Sequence, residues 1–186
     1  MTITIAALYV DERGPYVGLP HVEIWDVTRD ARRYPGPHPV VAHPPCERWG
    51  SYAAGGPSAR FRLVKGDDGG CFSAAIDDVR RWGGILEHPA GSAAWEAHRL
   101  TRPPTAGGWV RADKFRGWTC RVDQGQYGHQ AQKSTWLYAC RISLPELRWE
   151  RAKLSGRVEL MNKSQRHITP IEFRDLLLSI ARTTNR

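Results

Sequence analysis

The sequence of 186 residues lacks the features that mark membrane and secreted proteins. No apolar run approaches the roughly 20 residues that a membrane-spanning helix needs. The opening stretch "MTITIAALYVDERG" has no basic leader, and Asp11 and Glu12 interrupt its apolar character, so we expect no signal peptide. We therefore expect a cytoplasmic protein without a membrane partner, and the sequence does not indicate an oligomeric state.

The sequence also lacks a metal-ligand pattern and a disulfide framework. Its cysteines contain no C-x-x-C pair; they are Cys46, Cys71, Cys120 and Cys140. In a cytosolic chain of this size we expect free thiols. His43 and Cys46 have ligand-like spacing, but no second close pair completes a four-ligand zinc site, so we expect no metal. The zinc deaminase signature is incomplete as well, because Trp49 stands where its last cysteine would be.

Glycine-rich phosphate loops are missing too. Neither G-x-G-x-x-G nor G-x-x-x-x-G-K-[ST] follows the first predicted strand, and there is no serine-hydrolase elbow. The chain also shows no internal repeat. These absences exclude the commonest nucleotide-binding and hydrolase signatures.

Positive charge, in contrast, is in excess. The chain carries 27 Lys and Arg residues against 19 Asp and Glu residues, a net charge of +8. A basic surface favours a polyanionic partner, and DNA is the partner we expect. The eight tryptophans are either stacking platforms for bases or part of the core.

Hydrophobic periodicity predicts strands that alternate with helices. The predicted strands cover 4–10, 21–27, 38–43, 83–90, 117–124 and 134–141, and the predicted helices cover 71–82, 92–100 and 168–183. Ser92 is the expected cap of the second helix, and Thr169 and Pro170 the expected cap and first residue of the third. This order indicates one α/β domain over residues 1–186, a Rossmann-like three-layer fold with a largely parallel sheet.

Functional side chains in such sheets gather at the carboxyl ends of the strands. One buried strand ends in His43 followed by Pro44, Pro45 and Cys46. The two prolines fix an extended backbone, so the thiol emerges on a stiff turn. A helix starting nearby, together with Arg48, would lower the thiol pKa and favour a nucleophilic thiolate; the alternative is a small buried residue.

A second buried strand ends in Glu87, His88 and Pro89. Burial would keep the Glu87 carboxyl protonated and able to donate a proton or a hydrogen bond. The alternative is an exposed acid paired with an arginine. Both strand ends are expected at the same edge of the sheet.

These motifs resemble the catalytic core of the DNA cytosine methyltransferases that act at ring carbon 5. "AHPPCERWGS" is similar to their Pro-Cys loop, whose cysteine attacks carbon 6 of the base, and Pro45 and Cys46 match it. "LEHPAGS" is similar to their Glu-Asn motif, whose glutamate binds ring nitrogen 3. Glu87 matches that glutamate, and His88 replaces the asparagine.

The resemblance continues downstream. "QYGHQAQKSTWLYA" is similar to the family's Tyr-Gly…Gln-x-Arg-x-Arg segment, which closes over a flipped base. Tyr127 and Gly128 match its start, and Lys133 falls on its first arginine. The resemblance implies that Lys133 and Arg48 contact DNA.

The proton on carbon 5 would then be removed by His43 or by His88. "RHITPIEFRDLL" is similar to the family's Leu-Thr-Pro-Arg-Glu helix. Similar short chains occur among phage-encoded proteins, so the resemblance is to a reduced, phage-type core.

The amino-terminal part departs from the family pattern. The family's Phe-x-Gly-x-Gly loop, which wraps S-adenosylmethionine, is replaced by "YVDERGPY". The segment "RDARRYPGPHPVVAHPPC" is similar to the family's Gly-Asp-Ile strand entry, with Asp30 at the acidic position. Asp11 and Asp30 are the expected cofactor residues. The cofactor is S-adenosylmethionine, another one-carbon donor or a different electrophile that the sequence does not identify.

Three functions follow from these motifs. The first is an enzyme that flips a cytosine in DNA and modifies its carbon 5 through a thiolate adduct. The second is a non-catalytic DNA-binding relative, such as a phage accessory or anti-restriction factor. The third is an enzyme that applies the same thiol chemistry to free nucleotides.

Overall fold

A single mixed sheet of seven strands organises the protein. The computed structural model describes residues 2–51, 53–55, 63–154, 156, 158, 161–162, 165–166 and 168–185. The strands are β1 (Ile5–Leu8), β2 (Val22–Trp25), β3 (Val40–Ala42), β4 (Gly84–Pro89), β5 (Val110–Arg111), β6 (Trp118–Asp123) and β7 (Ser134–Cys140). The α-helices in the described part are α1 (Cys71–Trp82), α2 (Ala94–Ala97) and α3 (Ile171–Arg182).

The strand order is β2-β1-β3-β4-β7-β6-β5. The pairings of β1 with β2, β1 with β3, and β3 with β4 are parallel. The pairings of β4 with β7, β7 with β6, and β6 with β5 are antiparallel. The α/β class is therefore confirmed, but only one half of the sheet is parallel.

Helices cover both faces of this sheet. On one face Phe72 and Ile76 of α1 and Trp95 of α2 are buried against the strands. On the other face Phe173 and Leu177 of α3 are buried. Each face thus has its own apolar core, as a layered α/β domain requires.

The carboxyl ends of five strands meet at one edge of the sheet, which we call the carboxyl edge. β1 to β4 run in the same direction, and β6 shares it because β7 lies antiparallel between β4 and β6. The connection from β6 to β7 therefore lies at the same edge as the ends of β3 and β4. The positions predicted to carry function come together there.

Several predicted elements differ in length from the observed ones. The helix predicted over 71–82 is observed with those bounds, whereas α2 covers only four residues. The N-cap of α2 is Ala93, so the prediction that Ser92 caps this helix is wrong by one position, although the Ser92 Oγ accepts a hydrogen bond from the Ala94 amide at 3.1 Å. Helix α3 begins at Ile171, so the prediction that Pro170 is its first residue is wrong by one position. β5 was not predicted, because a strand of two residues has no detectable periodicity.

Within the described part of the chain, the helices are too short or too polar to cross a lipid bilayer.

Candidate functional site

A continuous chain of side-chain hydrogen bonds lies at the carboxyl edge. The Tyr16 hydroxyl is 2.8 Å from Nε2 of His43, and Nδ1 of His43 is 3.1 Å from Oε2 of Glu87. Nε2 of Gln124 donates to Oε1 of Glu87 at 3.1 Å and to Oγ1 of Thr135 at 2.9 Å. Both carboxylate oxygens of Glu87 are therefore engaged.

Strand alternation explains why these side chains meet. Successive residues of a strand point to opposite faces, so positions two apart share a face. Val41 and Ile85 are buried on the face that α3 covers. His43 and Glu87 follow them by two positions and lie on the same face. The register pairs Ala42 with Leu86, which places the next residues of β3 and β4 side by side.

Glu87 is ionised in this arrangement. Burial opposes its ionisation. The hydrogen bond from His43, the charge that this ring carries when it is protonated, and the nearby ammonium of Lys133 outweigh that effect, so the pKa of Glu87 lies below its usual value. The prediction that burial keeps this carboxyl protonated is wrong. An ionised carboxylate only accepts hydrogen bonds, so it cannot donate a proton until it has received one.

Cys46 lies in a tight turn beside this chain. The turn is closed by a hydrogen bond of 3.0 Å from the Trp49 amide to the Cys46 carbonyl. Trp49 is anchored in turn, because its indole N–H donates to Oδ2 of Asp68 at 2.8 Å. Asp68 also accepts from the Phe72 amide at the start of α1, so the cysteine turn is fixed to a helix.

The thiol of Cys46 is not activated in the free protein. No helix begins at this turn, since α1 starts only at Cys71, and the predicted effect of a helix dipole is therefore wrong. Burial and the negative charges of Glu87 and Glu47 raise the pKa of Cys46, and Lys133 opposes them. Cys46 is half-buried: its thiol is less exposed than a surface side chain but is still accessible to a ligand.

Lys133 links the two groups. Burial lowers its pKa, while the charges of Glu87 and Cys46 act in the opposite direction. Its Nζ donates to the Ile168 carbonyl at 3.1 Å, and this hydrogen bond fixes the end of the Lys133 side chain. Three residues predicted from separate motifs thus interact electrostatically in one place.

Other predicted substrate-binding residues have different surroundings. Tyr127 is only 4% exposed, its hydroxyl accepts from the Arg148 amide at 2.9 Å, and its ring packs on Phe173. Tyr127 is therefore a core residue. Gly128, with φ of 93°, ends the short 3-10 turn over Gln124–Tyr127.

Two further predicted contacts lie in the cysteine turn itself. Pro45 is exposed, and Arg48 is half-buried. The Arg48 carbonyl accepts from the Gly66 amide at 2.8 Å, which fixes the backbone of the turn. Pro45 therefore offers a surface next to the thiol.

The structure does not bring His88 to the site. It lies on the opposite face of β4 from Glu87, is 1% exposed, and contacts Phe72 edge to face with ring centroids 5.2 Å apart. Burial lowers its pKa to about 4, although the charge of Glu87 and the backbone of Pro45 favour the protonated ring. Neither ring nitrogen has a partner of hydrogen-bonding geometry among the described residues.

His43 also does not offer a free base. Its two ring nitrogens are engaged by Tyr16 and Glu87. Of the two histidines predicted to remove the proton from carbon 5, His88 is buried on the other face of the sheet and His43 has both ring nitrogens hydrogen-bonded.

A cleft of about 600 Å³ adjoins the cysteine turn. It lies where β1 has β2 on one side and β3 on the other, the place where ligands bind in open α/β sheets. Its lining includes Tyr9, Asp11, Asp26, Asp30, Arg32 and Pro45. Both predicted cofactor residues therefore line one cleft, and Pro45 connects that cleft to Cys46.

The cleft suits a ligand of nucleoside size, because typical ligand sites enclose about 300–1,000 Å³. The Tyr9 hydroxyl is buried and has no hydrogen-bond partner among the described residues. The Asp30 carboxylate is occupied differently, since Nε and Nη2 of Arg32 donate to its two oxygens at 2.7 and 3.0 Å. The cleft thus fits an S-adenosylmethionine-like group in place and size. The Asp11 carboxylate is engaged less than that of Asp30, because its Oδ1 accepts from the Arg13 amide at 2.8 Å and no arginine side chain pairs with it among the described residues.

Sequence reasoning missed Tyr16, Gln124 and Thr135. Gln124 directly follows β6, whose carboxyl end lies at the same edge, so the rule that identified Glu87 also applies to it. Thr135 lies in β7 beside it. Tyr16 stands in the irregular connection from β1 to β2 and carried no detectable signal.

Comparison with models of protein families, with characterised proteins and with solved structures finds no match to this chain. Among the described residues, no group of three or more His, Cys, Asp or Glu side chains is arranged to hold a metal ion. The four cysteines are free.

Proposed function

We propose that the protein is a DNA-modifying enzyme that flips a cytosine out of the duplex and modifies its carbon 5. The observation that carries this proposal is the position of Cys46, Glu87 and Lys133 together at the carboxyl edge, where Glu87 is held by His43 and Gln124. The charges of the three residues act on one another there. A thiol, a carboxylate and an ammonium group around one site are the groups that nucleophilic addition to a pyrimidine needs.

Carbon 5 of cytosine is a weak nucleophile until another group adds to carbon 6. Addition of the Cys46 sulfur to carbon 6 forms a carbon–sulfur bond and leaves an enamine that is nucleophilic at carbon 5. Carbon 5 would then bond to the transferred carbon as the leaving group of the donor departs. Loss of the carbon 5 proton to water and breakage of the carbon–sulfur bond would restore the aromatic ring and release Cys46. Glu87 stabilises the charge that develops at ring nitrogen 3. The base must leave the stack to reach either side chain.

The protonation states of the two groups are complementary. Cys46 is a thiol in the free protein and must lose a proton before it attacks. Glu87 is a carboxylate and needs a proton to bind ring nitrogen 3, which carries a lone pair. Transfer of one proton from Cys46 to Glu87 as the base binds satisfies both requirements without exchange with solvent.

The cleft beside Pro45 supports a Rossmann-like, methyltransferase-like assignment of the fold. Tyr9 and Asp11 would hold a one-carbon donor such as S-adenosylmethionine there, and the donor would supply the electrophilic carbon. The net charge of +8 supports DNA as the partner. Lys133, next to the thiol, is the cation best placed to contact the flipped nucleotide.

A trapping experiment tests the proposal. Duplex oligonucleotides that contain 5-fluorocytosine should form a denaturation-resistant adduct with the protein in the presence of S-adenosylmethionine. The adduct should disappear in Cys46→Ala and persist in Cys71→Ala, which removes the other half-buried thiol. Mass spectrometry of nucleosides from co-expressed DNA identifies the group transferred. Absence of both an adduct and a modified base refutes the enzyme.

A non-catalytic DNA-binding relative is the second candidate. The raised pKa of Cys46 and the pairing of Asp30 with Arg32 favour it, because a catalytic thiol and a cofactor acid would both need to be free. This candidate predicts salt-dependent DNA binding that is equal in the wild type and in Cys46→Ala. An adduct that forms with a mononucleotide but not with duplex DNA would instead select an enzyme of free nucleotides.

A further inference from the structure

Tyr16 has no part in the proposed chemistry, yet it is built into the site. Its side chain is 1% exposed, and its hydroxyl lies 2.8 Å from Nε2 of His43. The two rings are tilted by 55° with centroids 5.5 Å apart. Arg174 of α3 donates to the Pro15 carbonyl at 2.6 Å and so fixes the backbone next to Tyr16.

The direction of the hydrogen bonds follows from the chemistry of the two end groups. Burial and the charge of Glu87 raise the pKa of Tyr16 well above its ordinary value, so its hydroxyl stays protonated. Glu87 is ionised and can only accept. Between an acceptor at one end and an available O–H at the other, neutral His43 carries its proton on Nδ1 and accepts on Nε2.

We infer that Tyr16 and His43 are positioning residues for Glu87. Tyr16 selects the His43 tautomer that donates to the carboxylate, and His43 thereby fixes both the orientation and the ionised form of Glu87. The inference rests on the geometry of this chain of hydrogen bonds, together with the protonated Tyr16 hydroxyl and the ionised Glu87 carboxylate that set their direction. Its consequence for catalysis rests on the proposed function.

The other groups that face Glu87 do not replace the effect of Tyr16 and His43 on its orientation and ionisation. Gln124, at the end of β6, donates to Oε1 but cannot titrate. The charges of Lys133 and Cys46 reach Glu87 from the β6–β7 connection and from the cysteine turn. His88, on the same strand, lies on the other face. Among the described residues, only His43 combines a hydrogen bond to Oε2 with a ring that has two tautomers.

Loss of the Tyr16 hydroxyl therefore has a defined effect. Nε2 of His43 loses its donor, so one of the two groups that favour the tautomer with the proton on Nδ1 is gone and the other tautomer becomes more populated. In that tautomer a lone pair of the ring faces Glu87. Two acceptors then face each other, which favours a protonated carboxyl. Under the proposed function, a carboxyl that is already protonated can no longer receive the proton of Cys46.

Carbon-13 NMR of labelled glutamate carboxyl groups tests the inference in the protein without substrate, with the Glu87 signal assigned by Glu87→Gln. In the wild type the Glu87 signal should titrate below the ordinary glutamate range. In Tyr16→Phe and His43→Leu the midpoint should shift upward. His43→Asn keeps an N–H donor near the position of Nδ1 and should keep the midpoint low. Tyr127→Phe is the matched control, because it removes another buried hydroxyl away from Glu87.

An unchanged Glu87 midpoint in both Tyr16→Phe and His43→Leu overturns the inference, provided that the proton spectra show folded proteins. An upward shift in Tyr127→Phe equal to that in Tyr16→Phe also overturns it, because the effect would then be general loosening of the core. The readout needs no substrate. If the NMR shifts appear and no adduct ever forms, the proposed function fails and the positioning role stands.

Discussion

Oε2 of Glu87 and Nδ1 of His43 lie 3.1 Å apart and join the ends of two adjacent parallel strands. The two residues are 44 positions apart in the chain, with α1 between them. Their side chains are 12% and 13% exposed, so water screens the contact only weakly. The negative charge of Glu87 therefore has His43 as its partner, and the sheet backbone fixes the position of both residues.

Removal of the His43 ring should destabilise the fold. In His43→Leu the buried carboxylate of Glu87 loses a donor, and the expected loss is about 2–4 kcal/mol of unfolding free energy at neutral pH. Glu87 has a lowered pKa in the folded state, so its stabilising effect is present above the ordinary glutamate pKa and is lost as the pH falls through the folded value. Urea unfolding from neutral to acid pH should show this acid loss in the wild type and not in His43→Leu.

His88 should make the protein sensitive to acid. Its pKa of about 4 in the folded state lies below the unfolded value of 6.5, so stability is full above 6.5 and falls as the pH drops toward 4. His88→Leu should remove this decline, which amounts to about 3 kcal/mol, and leave stability at neutral pH equal or higher. It should also retain adduct formation, because His88 lies across the strand from Glu87. A mutant that folds but loses the adduct would contradict this placement.

Asp78 on α1 should have the opposite effect on the pH dependence of stability: it should stabilise the fold in acid rather than at neutral pH. Burial and the charge of Asp77 raise its pKa to about 7, above the ordinary 3.8. Its stabilising effect is therefore present at acid pH and is lost as the pH rises from 3.8 through about 7. In Asp78→Asn the stability curve should be flatter over this range, as measured by thermal unfolding at a series of pH values. A wild-type curve that is parallel to that of Asp78→Asn would show that Asp78 titrates normally.

The anchor of the cysteine turn should affect chemistry as well as stability. Trp49→Phe removes the indole N–H that donates to Asp68, with an expected loss of about 1–3 kcal/mol. Adduct formation should slow, because the turn that holds Cys46 is no longer fixed to α1. The matched control is Trp109→Phe, which removes an indole N–H that donates to the Pro145 carbonyl at 2.8 Å. Equal adduct rates in the two mutants would argue against the anchor.

Lys133 should control the reactivity of Cys46. It lowers the pKa of the thiol, so in Lys133→Met the thiolate fraction falls and alkylation by iodoacetamide at pH 8 should slow. Mass spectrometry of the peptide that contains Cys46 separates its reaction from that of Cys71. Lys114→Met, which removes a lysine near Phe115, should leave the rate unchanged. A rate for Cys46 that does not change in Lys133→Met would show that the two charges are not coupled.

Much of this site could be predicted because one rule of sheet geometry covers it. A buried strand that ends in His43 and another that ends in Glu87 must place both residues at one edge when the strands are parallel. The same alternation that puts Glu87 on the α3 face puts His88 on the other, so the position of His88 was available from the sequence and was not used.

Other parts depend on packing that a local pattern does not contain. Gln124 reaches Glu87 only because β7 lies between β4 and β6 and makes β6 run parallel to β4. Tyr16 reaches His43 from a connection without regular structure, and that connection is held by α3. The ionised state of Glu87 likewise follows from its partners, because burial alone predicts the opposite.

The hydrogen bond from Arg174 to the Pro15 carbonyl spans 159 positions of the chain. Domains fold as units while the ribosome still adds residues, and contacts between distant positions form last. A growing chain that has released Cys46 and Glu87 but not α3 lacks the hydrogen bond from Arg174 that fixes the loop carrying Tyr16. The site therefore reaches its final form only after α3 has left the ribosome, and a nascent chain exposes the thiol without the complete environment around it.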